Sequence, residues 1–288
     1  MSERSEETPP LEGGLYFVAT PIGNARDITL RGLDILRGAD AIAAEDTRTA
    51  RKLMEIHGIP LGARPLIAYH DHNGPSVRPR LLSLLADGLS VAYVSEAGSP
   101  LVADPGFTLA RAAIADGVAV RSAPGPSAVI AALTVSGLAS DRFLFSGFLP
   151  STGAARKKTL SELGNVPATL VFFESAKRIH KSLADMRETL GAGRQIAICR
   201  ELTKKFEEVL RGSVDELCQK LADRTLKGEI VVVVDRDRGS ASTTDMKNAL
   251  EEALKSHSLK DAVAVVSAEL DLPRRQVYQA ALAMGRQN

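Results

Sequence analysis

Three short stretches of the chain carry side chains that could do chemistry. The first is Glu45-Asp46-Thr47-Arg48, which follows directly on an apolar strand pattern. Carboxylates at the carboxyl end of a strand face the ligand crevice of an open α/β sheet. The same residues suit a helix start, where Asp46 or Thr47 would cap orphan amides, and the two readings are compatible. The second is His70-Asp71-His72-Asn73, a hydrogen-bonding loop that offers His70 as a proton acceptor. Two histidines separated by one residue, with no cysteine and no evident third ligand, make a poor metal set, so no metal site is expected. The third is Arg200, Glu201, Lys204 and Lys205 around another strand end, either a surface ion-pair group or the second wall of a cleft. Arg156-Lys157-Lys158, after a Ser-Thr-Gly turn, reads as a solvated loop or as a phosphate-contacting one. Cys199 reads as packing, not as a nucleophile.

The frame that would position these groups centres on Val91 to Ala128. Val91–Val94 is a short apolar run, hence a buried strand, and it leads into Ser95-Glu96-Ala97-Gly98-Ser99-Pro100. A second strand, Val118–Val120, leads into Pro124-Gly125-Pro126-Ser127. Two parallel strands whose carboxyl ends carry small turns describe a ligand crevice, and small side chains there let a ligand reach the backbone. Strands are also expected at Leu15–Ala19, Ala39–Ala44 and Leu66–Tyr69. Helices are expected at Leu30–Arg37 with Leu30, Leu33 and Leu36 on one face, at Thr47–His57 with Leu53 and Ile56 buried, at Val77–Ala86 and at Phe107–Asp116. This alternation predicts a parallel, doubly wound N-terminal domain over residues 15–124, after a disordered leader at 1–14.

Ser127–Ser136 is apolar on nearly all sides and reads as a buried connector into a second domain, residues 125–238. Strands at Arg142–Phe148, Ala168–Phe173, Gln195–Glu201, Phe206–Leu210 and Glu229–Asp235 predict a mixed sheet with fewer helices there. The short turn at 202–205 would make two of them an antiparallel hairpin. Arg236–Asp245 is polar and reads as a linker. A helical region follows at 246–288, with helices over Lys260–Glu269 and Arg274–Ala283.

Composition narrows the function classes. The 288 residues are 44% hydrophobic, enough for two domains with real cores. A net charge of +1 excludes a broad basic field, so any nucleic-acid contact must be local. The two cysteines lack metal spacing and fit a reducing cytosol. No apolar run is long enough for a membrane span, and no apolar N-terminal segment marks a signal peptide. No P-loop is present, no glycine-rich dinucleotide fingerprint follows the first strand, and Gly125-Pro126-Ser127-Ala128-Val129 lacks the second glycine of a nucleophile elbow.

Taken together, TPIGN at 20–24, AAEDTR at 43–48, HDHN at 70–73, SEAGSPLVADPG at 95–106, PGPSA at 124–128, DRFLFSGFLP at 141–150, FFES at 172–175 and RELTK at 200–204 resemble the tetrapyrrole-methylase fold family, and within it the members that methylate small-subunit ribosomal RNA. The likeness runs in order from Leu15 to Asp235. The central motif usually carries Asp where Glu96 stands and Thr where Ser99 stands, and both exchanges keep the chemistry. The resemblance implies an α/β, tetrapyrrole-methylase-like fold: a parallel-sheet N-terminal domain, a mixed-sheet second domain and a C-terminal helical tail. It implies S-adenosyl-L-methionine as cofactor, the ribose 2′-hydroxyl of a cytidine in the decoding region of 16S rRNA within the 30S subunit as acceptor, a homodimer, and a cytoplasmic setting. Carried over by motif position, the cofactor would meet Pro21, Ala97, Gly98, Ser99, Val102, Ser127, Ala128, Glu174, Leu202 and Gly228. A sulfonium is an activated donor, whereas a ribose hydroxyl has to lose a proton. Glu45, Asp46, His70 and Glu229 are candidate acceptors, with Asp46 or His70 favoured, and Arg48, Arg200 and Lys204 are candidate positioners. Arg156–Lys158 and Arg274 with Arg275 are the patches expected to touch RNA.

Overall fold

The computed structural model describes residues 11–102, 106–236, 243–270, 272 and 274–285. The first sheet is built from β1 (Gly14–Val18), β2 (Ala41–Ala44), β3 (Leu66–Ala68), β4 (Ser90–Val94) and β5 (Val120–Ala123), in the order β3-β2-β4-β1-β5 and parallel throughout. The crossovers are α1 (Leu30–Gly38), α2 (Thr47–Ile56), α3 (Gly74–Ala86) and α4 (Gly106–Ala115). Side chains alternate between the faces of a strand. Accordingly Val18, Ile42 and Ala92 pack with Leu33, Leu36 and Met54 under α1 and α2, while Phe17, Ala43 and Tyr93 pack with Leu81, Leu85 and Leu109 under α3 and α4. Both faces are covered, which is why β1 and β4 are buried along their whole length. The chain leaves β1 toward one edge of the sheet and leaves β4 toward the other. The carboxyl ends of this adjacent pair therefore form the switch point where open sheets bind ligands.

α5 (Ala128–Ser136) carries the chain into the second sheet. That sheet comprises β6 (Phe143–Phe148), β7 (Thr169–Ser175), β8 (Gln195–Arg200), β9 (Glu208–Ser213) and β10 (Glu229–Val234), in the order β6-β7-β10-β8-β9. β6 and β7 are parallel and the remaining pairings antiparallel, so the sheet is mixed. Val129, Ala132 and Leu133 of α5 cover one face, against Val171, Ala197, Cys199, Val231 and Val233. The other face carries a larger core under α6 (Gly153–Gly164), α7 (Ile179–Leu190) and α8 (Val214–Leu221). A fifth, separate core joins α9 (Thr243–Leu254), α10 (Leu259–Glu269) and α11 (Arg274–Gly285).

Several expectations are corrected. Strand five lies at Val120–Ala123, not Val118–Val120, and strand nine at Glu208–Ser213, not Phe206–Leu210. α9 begins at Thr243, inside the segment read as linker; residues 237–242 of that segment lie outside the described residues. The second sheet is not poor in helices: α6, α7 and α8 pack on it. Of the expected leader, residues 11–13 are tied down, since Tyr16 Oη donates to the Glu12 carbonyl at 2.8 Å and Arg121 pairs with the Glu12 carboxylate; residues 1–10 lie outside the described residues. Leu30, at the first position of α1, is 81% exposed, ahead of the turn that packs on the sheet. α5 is not buried on all sides, since Ile130 is exposed.

The triplet Arg156-Lys157-Lys158 is no surface loop. It lies within α6, and Arg156 is only 4% exposed, its guanidinium 2.6 Å from Asp185 and donating to the Pro150 and Ser151 carbonyls. Lys157 pairs with Glu188 at 2.5 Å. Arg156 and Lys157 hold α6 against α7, whereas Lys158 is exposed on the same helix, 3.9 Å from Glu162. Removing one partner of a buried ion pair strands the other, at a cost of about 3 kcal/mol. Arg156→Ala is expected to lower the urea midpoint accordingly, and a midpoint equal to wild type would contradict this structural role.

Candidate active site between the two sheets

The carboxyl edge of the first sheet faces the second across a cavity of about 1060 Å³. Its wall from the first sheet is the turn after β1 (Thr20 to Gly23), the turn after β4 (Ser95 to Ala97), and one side of α2. The other wall comes from Phe148, Phe173, Glu174 and Ser175 at the ends of β6 and β7, with Lys204, Gly228 and the start of β10. The two small turns of the first wall are stitched together. Thr20 and Gly98 exchange backbone hydrogen bonds of 2.9 and 3.0 Å, and Ser95 Oγ donates to the Gly98 carbonyl at 3.0 Å. Ser99 Oγ donates to the Pro126 carbonyl at 2.9 Å.

The sheets meet where the TPIGN turn touches the RELTK turn. A Cβ on Gly23 would fall 2.5 Å from Lys204 Cγ and 2.7 Å from Thr203 Oγ1, so only glycine permits this approach. Asn24 N donates to Thr203 Oγ1 at 3.1 Å. Glu201 and Thr203 sit at φ 51° and 64°, left-handed conformations that side chains rarely adopt and that cluster at functional sites. The turn is held by charge: Lys204 Nζ lies 2.9 Å from Glu201 and 2.8 Å from Glu229. Burial alone would lower the Lys204 pKa, but these two carboxylates outweigh it and hold it above its ordinary value. The Glu229 N–H and then Lys204 hold Glu201 below the usual carboxylate range. Lys204 thus carries its positive charge at the seam between the two sheets.

On the first wall, Asp46 caps α2 and is claimed by its neighbour. Its Oδ1 accepts from Arg48 N at 2.8 Å and Arg48 Nε at 3.2 Å, and its Oδ2 accepts from Arg48 Nη2 at 2.8 Å. The Arg48 guanidinium, then the Arg48 backbone N–H, hold the Asp46 carboxyl down to about 2. Glu45 Oε2 accepts from Glu96 N at 3.0 Å, which fixes its side chain at the cavity wall. On the second wall Glu174 is fully buried and held three ways, by Ser175 N at 2.8 Å, Ser182 Oγ at 2.5 Å and Arg178 Nε at 3.3 Å. It is a rigid carboxylate.

The expected site residues divide as follows. Pro21, Glu45, Asp46, Arg48, Ala97, Val102, Ala128, Glu174, Lys204, Gly228 and Glu229 line the cavity. Gly98, Ser99 and Ser127 stand behind the lining and shape its turns: Ser127 at the α5 N-cap, the other two through the bonds above. Leu202 is buried in the core under α5. Arg200 is spent on Glu208 at 3.2 Å and the Lys227 carbonyl at 3.1 Å. His70 is away from the cavity, because it follows β3, the edge strand, and not β1 or β4. Its backbone N–H is capped by Asn73 Oδ1 at 2.8 Å, and its ring meets His72 edge-on at 6.0 Å. Among the described residues no cluster of three metal-ligating side chains occurs.

Other lining residues went unread. Thr49, Lys52, Leu53 and Ile56 recur along one side of α2 and face the cavity, whereas Ala50 and Met54 face the core. Ile56 is therefore 54% exposed and not inward. Phe148 and Phe173 meet edge-on with centroids 5.6 Å apart and offer aromatic surface to the cavity.

Residues 14–218 match the family of Tetrapyrrole (Corrin/Porphyrin) Methylases, and residues 240–285 match the RsmI C-terminal HTH domain. A protein of Mesorhizobium japonicum named ribosomal RNA small subunit methyltransferase I is 53% identical over 226 residues, 78% of this chain and 76% of its own length. A Xylella fastidiosa protein of the same name is 44% identical over 271 residues, covering 92% of this chain and 98% of that one. Among solved structures, the methyltransferase CobJ superposes with a TM-score of 0.60 at 20% identity over 78% of this chain and 94% of its own. A conserved hypothetical protein from Aeropyrum pernix gives 0.61 at 18% identity over 96% and 98%. At those identities the structures show the shared fold.

The methyl donor of this family is S-adenosyl-L-methionine, and the cavity's chemistry suits it. Phe148, Phe173 and Val231 offer apolar surface for an adenine ring, the turns at 20–23 and 95–97 expose backbone, and Glu45, Asp46, Glu174 and Glu229 supply negative charge toward a cationic ligand. The chain belongs to the tetrapyrrole methylase family, and within it to the ribosomal RNA small subunit methyltransferase I group, with that group's helical domain at its C-terminus.

Proposed function

We propose that the protein transfers a methyl group from S-adenosyl-L-methionine to the ribose 2′-hydroxyl of a cytidine in the decoding region of small-subunit rRNA. The observation that carries this reading is the juxtaposition, in one cavity, of an acidic interior with the exposed cations Arg48 and Lys52 along α2, in a chain whose relatives bear the name of an rRNA methyltransferase. Positive charge at the mouth suits the flanking phosphates of a nucleotide whose ribose reaches inward. The donor supplies an activated methyl group when bound. The chain's part is to bind both partners, align them, exclude water and take the hydroxyl proton. Pro21, Ala97, Val102, Ala128, Glu174 and Gly228 are assigned to the donor, with Gly98, Ser99, Ser127 and Leu202 shaping the loops that hold it. Lys204 and Glu229 fix the second wall, and Glu45 is assigned as the proton acceptor. The enzyme is expected to be cytoplasmic and homodimeric. Among the described residues no helix is long and apolar enough to cross a membrane.

The deciding experiment is transfer of labelled methyl to 30S subunits and to protein-free 16S rRNA, with the modified nucleotide mapped by mass spectrometry. A 2′-O-methylcytidine in the decoding region is the expected product. Label on a base, or transfer only to a tetrapyrrole, would refute the assignment.

A further inference from the structure

None of the described residues of the C-terminal helices lines the cavity between the sheets, yet these helices carry a feature of their own. From residue 243 onward six basic residues balance six acidic ones, so the segment has no net charge. The charges are nevertheless segregated. A groove of about 390 Å³ between α10 and α11 is lined by Lys260, Arg274, Arg275 and Tyr278, with the buried Val263 as its floor, and among the described residues no carboxylate lines it. Lys260 is the second residue of α10, and Arg274 and Arg275 are the first two of α11. Cations in the first turn oppose the helix macrodipole. Helix stability therefore does not explain why three of them converge here, whereas an anion in the groove would. The acid of α10's first turn, Asp261, accepts from Ser258 Oγ at 2.6 Å. Tyr278 is 46% exposed beside the three cations. A ring flanked by cations over an apolar floor matches a nucleotide, with the base or ribose on the ring and phosphates on the charges.

The geometry points to this groove as a second RNA site, which grips the sugar-phosphate backbone of an unpaired stretch of the rRNA away from the nucleotide being methylated. The inference rests on the rRNA reading above. It supplies what a chain of net charge +1 lacks, a local patch that can hold a large polyanion while the cavity samples its target. Such a grip acts on association with RNA and leaves the chemical step alone.

The test uses the full chain, protein-free 16S rRNA and assembled 30S subunits. Two variants are compared with wild type: Lys260→Gln combined with Arg274→Gln and Arg275→Gln, and Tyr278→Leu. Titration of S-adenosyl-L-methionine by calorimetry checks that the donor site is intact. The triple variant is expected to bind protein-free rRNA about tenfold to a hundredfold more weakly near 0.1 M salt, and its log–log salt slope to shrink by about 2, the share of three lost phosphate contacts. Tyr278→Leu is expected to weaken binding several-fold with the salt slope unchanged. In both, KM for RNA rises and kcat at saturating RNA stays at wild type. Wild-type affinity and salt slope in the triple variant would overturn the inference. So would a defect seen with assembled subunits but absent with protein-free rRNA, which would make the groove a ribosomal-protein contact. A wild-type chain that binds rRNA with the groove-dependent slope but methylates none of it would refute the proposed function and leave the groove standing.

Discussion

Gly228→Val is expected to weaken S-adenosyl-L-methionine binding by at least about a hundredfold and to abolish methyl transfer at ordinary donor concentrations. Gly228 lies in the cavity wall at φ 88°, a conformation that a β-branched residue adopts only under strain. Its missing Cβ would stand 2.3 Å from Glu201 Oε1, 2.4 Å from Cδ and 2.6 Å from Cγ. Glu201 cannot simply swing aside. Its Oε1 accepts from Glu229 N at 3.0 Å and Lys204 Nζ at 2.9 Å, and Lys204 in turn packs on Gly23 of the opposite wall. The left-handed backbone contributes about 1–2 kcal/mol and the overpacking about 1–3 kcal/mol. A hundredfold in affinity corresponds to about 2.7 kcal/mol, which lies within the combined cost of about 2–5 kcal/mol and is reached when most of the displacement falls on the donor-binding state. Calorimetry against wild type measures the loss. Gly58→Ala is the matched control: φ is 62° and the Cβ meets open space, so it should lower stability by about 1 kcal/mol and leave donor affinity unchanged. Equal donor affinity in Gly228→Val and wild type would show that this turn is not part of the donor site.

The difference between what the chain pattern conveys and what the fold adds follows from particular residues. β1 and β4 are legible because strands covered on both faces become unbroken apolar runs, as in Val91 to Val94. The helix over Thr47–Ile56 is legible from its cap and its period. Which side of that helix faces a core is not legible: Met54 and Ile56 are both apolar, and only the position of the second sheet turns one to the core and the other to a cleft. The same ambiguity hid Phe148 and Phe173, which stand at the ends of two expected strands and line a cavity in three dimensions. α6 was hidden for another reason. Its Arg156 neutralises Asp185, 29 positions away, and a long-range partner of that kind leaves no trace in local spacing. His70 shows the converse error. The HDHN loop has the composition of a catalytic loop, but strand order places it at the sheet edge, and strand order is invisible until the crossovers are drawn.

That displacement of His70 changes which group should take the proton. A general base works best with a pKa near the operating pH. Asp46, held down to about 2 by Arg48, is far from it, and both its oxygens are already accepting. Glu229 is tied to Lys204, and Glu174 is sealed among Ser182, Arg178 and the Ser175 N–H. Glu45 lines the first wall, where one of its oxygens accepts from the Glu96 N–H, and it is the carboxylate assigned to take the proton. Glu45→Gln keeps the shape and removes the basicity, so single-turnover methyl transfer should slow by about a hundredfold or more, with donor affinity nearly unchanged. Asp46→Asn should stay within about tenfold of wild type, because an asparagine oxygen still caps α2. The pH profiles separate the two carboxylates further. Asp46 has a depressed pKa, so its charge and whatever stability its pairing contributes are fully present above the ordinary carboxylate range and are lost only as pH falls through about 2. Between about pH 5 and 9 it does not titrate, and Asp46→Asn should leave the shape of the rate profile as in wild type across that window. If Asp46→Asn instead erased an acid limb while Glu45→Gln turned over normally, proton acceptance would belong to Asp46, and the Arg48 pairing would have to open whenever RNA is bound.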